Sequence, residues 1–293
     1  MNYYLGIDIG TSSVKSLLMD ARGNIAGTSQ IGYDIIKSSL KYAEQNMEEL
    51  WEATKRTISD IVKRYPVESA KIQGISYSGQ MHGLVMVDKD GRLIRNAIIW
   101  ADQRSAEEIE KIYQTVGKDA YRSVALNSLS TGFLISSLMW VKEHEPENYE
   151  KIHTVMFPKD YIRYRMCGEL GTDMSDASSG AIFDTRNRQW AWELIEKLGI
   201  RKEIFSECRE SSEIAGEVTE DCAADTGLRA GIKIAYGGGD TLMQGVGNGI
   251  IAPGTLAANI GTACQLSGGF HEPVYDKEFR TNTFCHVKKD LWM

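Results

Sequence analysis

Residues 3–20 alternate apolar runs with a polar tip in a way that few architectures accommodate. Tyr3-Tyr4-Leu5-Gly6-Ile7-Asp8-Ile9-Gly10 reads as a buried strand, Thr11-Ser12-Ser13 as a polar turn, and Val14 to Asp20 as a second strand. This predicts a β-hairpin whose tip is rich in hydroxyls and backbone amides. Asp20-Ala21-Arg22-Gly23-Asn24 is turn chemistry, and Ile25 to Ile35 reads as a third strand, so the domain is expected to open with an antiparallel meander.

The next stretch changes period. Met47, Leu50, Trp51, Ile58, Ile61 and Val62 recur at helical spacing, with Asn46 as N-cap and Pro66 just past the end. Ile72 to Ser78 returns to strand, followed by a corner at Gly79-Gln80-Met81-His82-Gly83 and short strands at Leu84–Val87 and Ala97–Trp100. Asp102-Gln103-Arg104 leads into a charged helix from Ser105 to Val116, Leu134, Ile135, Leu138 and Met139 mark another helix ending before Pro146, and a further helix is expected at Trp190–Leu198. The strand Ile232–Tyr236 runs into Gly237-Gly238-Gly239-Asp240, and a helix is expected over Thr241–Val246. A glycine-rich exit through Gly247, Gly249 and Pro253-Gly254 divides the chain into residues 1–250 and 251–293. After it, Ile260-Gly261-Thr262 echoes Ile9-Gly10-Thr11, each at the tip of an expected hairpin, as duplicated lobes would place them.

Composition removes several function classes. At 293 residues the chain approaches the size at which one core splits in two. With 42% hydrophobic and 25% charged residues it has enough apolar surface to fold, which excludes wholesale disorder. A net charge of -7 argues against a non-specific nucleic-acid partner, since neutralising phosphates needs a basic surface. No apolar run reaches the roughly 18 residues of a membrane span and the first residues lack a secretory pattern, so no membrane partner and a cytoplasmic location are expected. The 5 cysteines and 5 histidines are scattered without C-x-x-C or H-E-x-x-H spacing, which leaves no support for a disulfide framework or a zinc hydrolase.

The chemistry-bearing residues are few. Asp8 at a strand end offers a carboxylate to Mg²⁺, Gly10-Thr11-Ser12-Ser13 offers amides and hydroxyls to phosphate oxygens, and Lys15 adds a cation. The same residues also make an ordinary hairpin. Neither a G-x-x-x-x-G-K-[ST] loop nor a G-x-G-x-x-G run follows the first strand, so P-loop and Rossmann folds drop out. Asp240, after three glycines, is placed to accept a proton from a substrate hydroxyl, or simply to cap a helix. His82 between glycines suits a polyol hydroxyl or a packed turn, and Trp100 and Arg104 suit a sugar or, for the tryptophan, the core.

Taken together, Gly6-Ile7-Asp8-Ile9-Gly10-Thr11-Ser12, Ser78-Gly79-Gln80-Met81-His82-Gly83, Trp100-Ala101-Asp102-Gln103-Arg104, Gly237-Gly238-Gly239-Asp240 and Asn259-Ile260-Gly261-Thr262 resemble, in order, the FGGY carbohydrate kinases, most closely their xylulokinase branch. The resemblance implies an α/β, ribonuclease-H-like lobe of the actin and hexokinase type, with the start of a second similar lobe. It implies ATP and Mg²⁺ as cofactors and a small-molecule sugar, D-xylulose, as acceptor. By it, Asp240 is the general base and Asp8 the metal residue. Gly10, Thr11, Ser12, Ser13, Lys15, Gly261 and Thr262 flank the phosphates, and Met81, His82, Trp100, Asp102, Arg104 and Thr241 face the substrate. Thr241 stands where some members carry Asn, which leaves ribulose, gluconate and glycerol as other acceptors. Family members are longer, so the resemblance implies a truncated form, nearly inactive by itself, lacking the adenine-binding part and prone to homodimerise through unpaired edges. A non-catalytic sugar-binding module and an actin-like polymerising scaffold are the alternatives.

Overall fold

A computed structural model of the protein describes residues 1–260 and 264–293. Strands β1 (Tyr3–Ile9), β2 (Ser13–Asp20) and β3 (Ile25–Gly32) form the expected meander, the third ending three residues earlier than its apolar pattern suggests. Leu5, Ile7 and Ile9 on β1 and Val14 and Leu18 on β2 alternate inward, as a half-buried sheet requires. That inner face is covered by α1 (Met47–Arg64), whose buried side includes Leu50, Trp51, Ile58 and Ile61. Asn46 caps it by accepting from the Glu48 amide, and Glu48, Glu49, Lys63 and Arg64 complement its dipole. A hydroxyl pair, Ser16 to Thr57 at 2.7 Å, is the polar tie within this apolar interface.

The helix carries the chain across so that β4 (Ile72–Gly79) returns parallel to β1. Much later β5 (Ile214–Glu217), β6 (Lys233–Ala235) and β7 (Gly238–Gly239) complete a mixed sheet of order β5-β6-β4-β1-β2-β3, with β7 also paired to β4. Its register sets one rung: Ile9 is opposite Gly79, and Gly79 is opposite Gly239. Helix α2 (Pro158–Cys167) packs near β4, short helix α3 (Met174–Ser179) lies beside β7, and α4 (Asp240–Gly247) leaves β7 directly.

A second core is mainly helical, built around Ile112, Tyr121, Leu134, Leu138, Phe157 and Phe183. Helices Ala106–Val116 and Leu134–His144 contribute to it as anticipated. The helix expected from Trp190 begins only at Trp192: Gln189–Trp190 is instead a strand pairing with Phe183–Asp184, which lets Trp190 fall edge-on to Phe183 in the core. Residues 283–293 join this core through Cys285 and Trp292, whose indole N–H donates to the Thr185 carbonyl at 2.8 Å. The hairpin β8 (Leu256–Ile260) and β9 (Cys264–Gly268) stands apart, with Leu256, Ile260 and Leu266 exposed. No described helix is long and apolar enough to cross a membrane.

Candidate active site

Three loops leave the same edge of the sheet from the Ile9–Gly79–Gly239 rung: the Gly10–Ser12 tip, the Gln80–Gly83 corner and the start of α4. The backbone comes very close here. Gly237 has φ +74 and lies against Tyr77, and a side chain at Gly239 would meet the Met81 Cγ at 2.6 Å.

The Gly10–Ser12 tip is gripped from four segments. Tyr33 donates its hydroxyl to the Gly10 carbonyl, Gln45 donates to the Thr11 carbonyl at 2.6 Å, Gln80 donates to Gln45 at 2.7 Å, and the Trp100 indole donates to the Thr11 hydroxyl at 2.9 Å. The Gly10 amide is spent on the Ser13 carbonyl, and the Ser13 hydroxyl accepts from Gln30. The amides of Thr11 and Ser12 have no acceptor among the described residues, and the Ser12 and Lys15 side chains are exposed. A held tip with free donors and a cation beside it suits an anionic oxygen cluster.

Asp240 opens α4 and shares a cavity of about 660 Å³ with Asp8, Lys15, Ser78, Thr241 and Gln244. Its Oδ1 accepts from the Thr241 amide at 2.7 Å, so one oxygen is oriented by the helix start and the other is left for a ligand. Burial, with the Asp8 charge adding to it, pushes the Asp240 carboxyl up to about 6. A carboxylate near neutrality and facing a cavity is what a proton acceptor at physiological pH needs. Asp8 supplies a second hard oxygen ligand in the same space, lying within reach of Gly10, where a Cβ would come 3.7 Å from its Oδ2. The donor set fits Mg²⁺, with Asp8 as the protein's contribution and water and phosphate oxygens completing the shell.

His82 has φ +74, a rare conformation for a side chain with a Cβ, held by the stacking of its ring on Phe133 at 4.0 Å and a 2.7 Å bond from Nδ1 to the Ser179 carbonyl. A carbonyl only accepts, so Nδ1 carries the proton. Burial pushes the imidazole down to about 4, and the neutral ring therefore presents Nε2 as an acceptor. Met81 is buried with Leu242 and Phe284, forming an apolar wall beside it.

Trp100 is 49% exposed, not in the core, and its indole edge touches the tip. Asp102 and Arg104, expected to face the substrate, are committed elsewhere. Asp102 accepts from the Ala43 amide at 2.7 Å and from Arg104 through both oxygens, and Arg104 bonds Glu44 at 2.6 Å beneath the Tyr42 ring. Both side chains are buried, so they brace the loop that presents Trp100 and leave no free polar atom on Asp102. Gly261 and Thr262 lie outside the described residues. Phe133, Phe284, Ser179, Gln45 and Tyr33 complete the site without having been singled out by motif. Their positions come from distant segments, and only their fit to the tip or to His82 marks them.

Comparison with known proteins points the same way. Residues 3–247 match the N-terminal domain of the FGGY family of carbohydrate kinases. The xylulose kinase of Bacillus subtilis (strain 168) is 34% identical over 290 residues, covering 99% of this chain and 58% of the relative, and that of Escherichia coli (strain K12) is 32% identical over 292 residues, covering 99% and 59%. The crystal structure of a xyloylose kinase from Brucella ovis superposes with a TM-score of 0.94 at 32% identity, over 99% of this chain and 60% of that one. The chain thus spans somewhat under two thirds of the length of these relatives.

Proposed function

The chain belongs to the FGGY family of carbohydrate kinases, and from that premise we propose that it serves ATP-dependent phosphorylation of a ketose, D-xylulose to D-xylulose 5-phosphate. The observation that carries this reading is Asp240 at the end of β7, with a carboxyl pushed up to about 6 and opening on a cavity it shares with Asp8 and Lys15. The relatives named above carry the choice of sugar. Residues 1–250 are read as the sugar-binding lobe and 251–293 as the beginning of a nucleotide-binding lobe.

Asp240 accepts the proton of the attacking sugar hydroxyl, its Oδ1 held by the Thr241 amide so that the other oxygen points to the substrate. His82 accepts a second hydroxyl through Nε2, and Met81, Trp100 and Thr241 shape the pocket around the sugar, with Asp102 and Arg104 supporting Trp100 from behind. The free amides of Thr11 and Ser12, the Ser12 and Ser13 hydroxyls and Lys15 receive phosphate oxygens, joined by Gly261 and Thr262 from the second hairpin. Mg²⁺, when bound beside Asp8, supplies charge neutralisation to the phosphates. Phosphoryl transfer asks for alignment and charge neutralisation more than covalent help, and these residues provide both.

The test is calorimetric titration with D-xylulose beside L-xylulose, L-ribulose, D-gluconate and glycerol, repeated on His82→Ala. Selective heat with D-xylulose, lost in His82→Ala, is expected. A stronger response to D-gluconate or glycerol, or silence across the panel, overturns the choice of substrate.

A further inference from the structure

Behind the cavity lies a group of charges that the proposed chemistry does not use. Lys159 on α2 is fully buried, with Nζ 2.7 Å from Asp160 Oδ1, 2.8 Å from Asp173 Oδ1 and 3.1 Å from Asp176 Oδ2. Burying an ammonium is costly unless it is paired, and the three aspartates hold it in the charged form against that cost. Asp173 turns its other oxygen toward two hydroxyls, accepting from Ser175 Oγ at 2.5 Å and Ser211 Oγ at 2.7 Å, and also caps α3 through the Ser175 amide.

A serine hydroxyl has one proton, and that of Ser175 is spent on Asp173, so its lone pair is what remains. That lone pair accepts the Gly239 N–H at 3.0 Å, one residue before Asp240. At the far end of the same helix the Ser179 carbonyl holds His82, and between them Asp176 abuts Gly239, where an added Cβ would lie 3.2 Å from its Oδ1. A six-residue helix about 9 Å long therefore touches both the turn carrying the base and the histidine.

We propose that Ser175 is a positioning residue for Asp240, its hydroxyl oriented by the Lys159–Asp173 pair, so that α3 sets the base and His82 at a fixed separation. The inference rests on the reading of Asp240 as the base. Among the described residues, the ionisable groups facing Asp240 are Asp8 from β1 and Lys15 from β2 across the cavity, and Asp176 of α3 behind Gly239.

Ser211→Ala is the internal control, because it and Ser175→Ala each remove one hydroxyl from the same Asp173 oxygen while only Ser175→Ala strands the Gly239 amide. In each protein the ¹³C carboxyl line of Asp240, assigned by its absence in Asp240→Asn, is followed against pH, and steady-state kinetics are measured with D-xylulose. Ser175→Ala is expected to admit water and move the Asp240 midpoint toward the ordinary aspartate value by about one pH unit, and to lower kcat about tenfold with KM for D-xylulose within about twofold. Ser211→Ala should leave both near wild type. Equal behaviour of the two variants, or a wild-type midpoint and kcat in Ser175→Ala, overturns the proposal. Should Ser175→Ala fail to fold, Ser175→Cys keeps the volume with a poor acceptor. The same shift is then expected, and a wild-type midpoint counts against the proposal. A moved midpoint in a chain that gives no heat with any sugar of the panel keeps the positioning role and removes the kinase reading, which separates the two failures.

Discussion

Replacing Asp240 by Asn should stabilise the protein and, on the role proposed for this residue, abolish turnover. The carboxyl titrates at about 6 in the folded chain against an ordinary 3.8, and at 1.36 kcal/mol per tenfold that gap is a ceiling of roughly 3 kcal/mol. Because the carboxylate opens on a solvent-accessible cavity, about 1–2 kcal/mol is the expected gain after screening. The sign follows from the raised value. Folding disfavours the ionised form, so the penalty is full above pH 6, shrinks as pH falls from about 6 to 4, and vanishes when the acid is protonated in both states. Asn keeps the acceptor for the Thr241 amide, so the substitution changes charge with little change in shape. For a chain of this length that gain corresponds to about 2–3 °C in Tm. Thermal unfolding at pH 7.5 and pH 4 reads it directly: Asp240→Asn should melt higher at pH 7.5 and level with wild type at pH 4. An unchanged or lower Tm at pH 7.5, or an equal gain at both, would refute the claim that burial strains this carboxylate. Residual sugar-dependent ADP release within tenfold of wild type would refute its role as base. By the same titration, wild-type kcat should fall about tenfold per pH unit below 6.

Three further substitutions test the supports around the site. Lys159→Met leaves buried aspartates without their cation and should cost about 3–5 kcal/mol in urea unfolding at pH 7, a deficit that narrows as pH is lowered from there and Asp176, which burial pushes well up, takes a proton. A constant deficit across that range would mean that packing, not charge, was lost. Gln45→Ala removes the donor to the Thr11 carbonyl and should raise KM for ATP about tenfold while calorimetric sugar binding stays within about twofold; unchanged KM for ATP would show that the tip holds without it. Arg104→Leu should cost about 3–5 kcal/mol by stranding buried Asp102, while Glu44 keeps its pair with Arg95, and Arg104→Lys should recover less than half of that because lysine lacks the planar fork. Full recovery with lysine would refute the bidentate account.

The parts of the site that were readable in the chain are those whose signal is local. The hairpin at Gly10–Ser13, the helix capped by Asn46 and the turn before Asp240 each follow from period, cap and glycine chemistry within a dozen residues, and the structure reproduces them. Buried charge was not readable. Lys159-Asp160 and Asp173 to Asp176 look like a solvated face, because ionisable side chains are seldom buried, and nothing in their spacing reveals that α2 and α3 bring them together. The same holds for Arg104, whose partner Glu44 is 60 positions away. Trp190 misled for the opposite reason: its apolar bulk continues the helical pattern of Trp192–Lys197, but a two-residue strand places it against Phe183 and Phe205.

The rung formed by Ile9, Gly79 and Gly239 also governs where the chain can change length. Parallel neighbours stand about 4.8 Å apart, so the spread of the three loops is dictated by backbone pairing and is insensitive to most side-chain changes. A residue added or lost within Ile72–Gly79 would turn Gln80 and His82 to the opposite face of the sheet, and one lost from Gly238–Gly239 would do the same to Asp240. Additions to the exposed stretch from Lys37 to Lys41 leave that rung untouched. A scan of single-residue insertions should therefore tolerate loops only a few residues from the strands, and meet sharp intolerance along β1, β4 and β7, marking the measuring edge of the site without reference to any catalytic side chain.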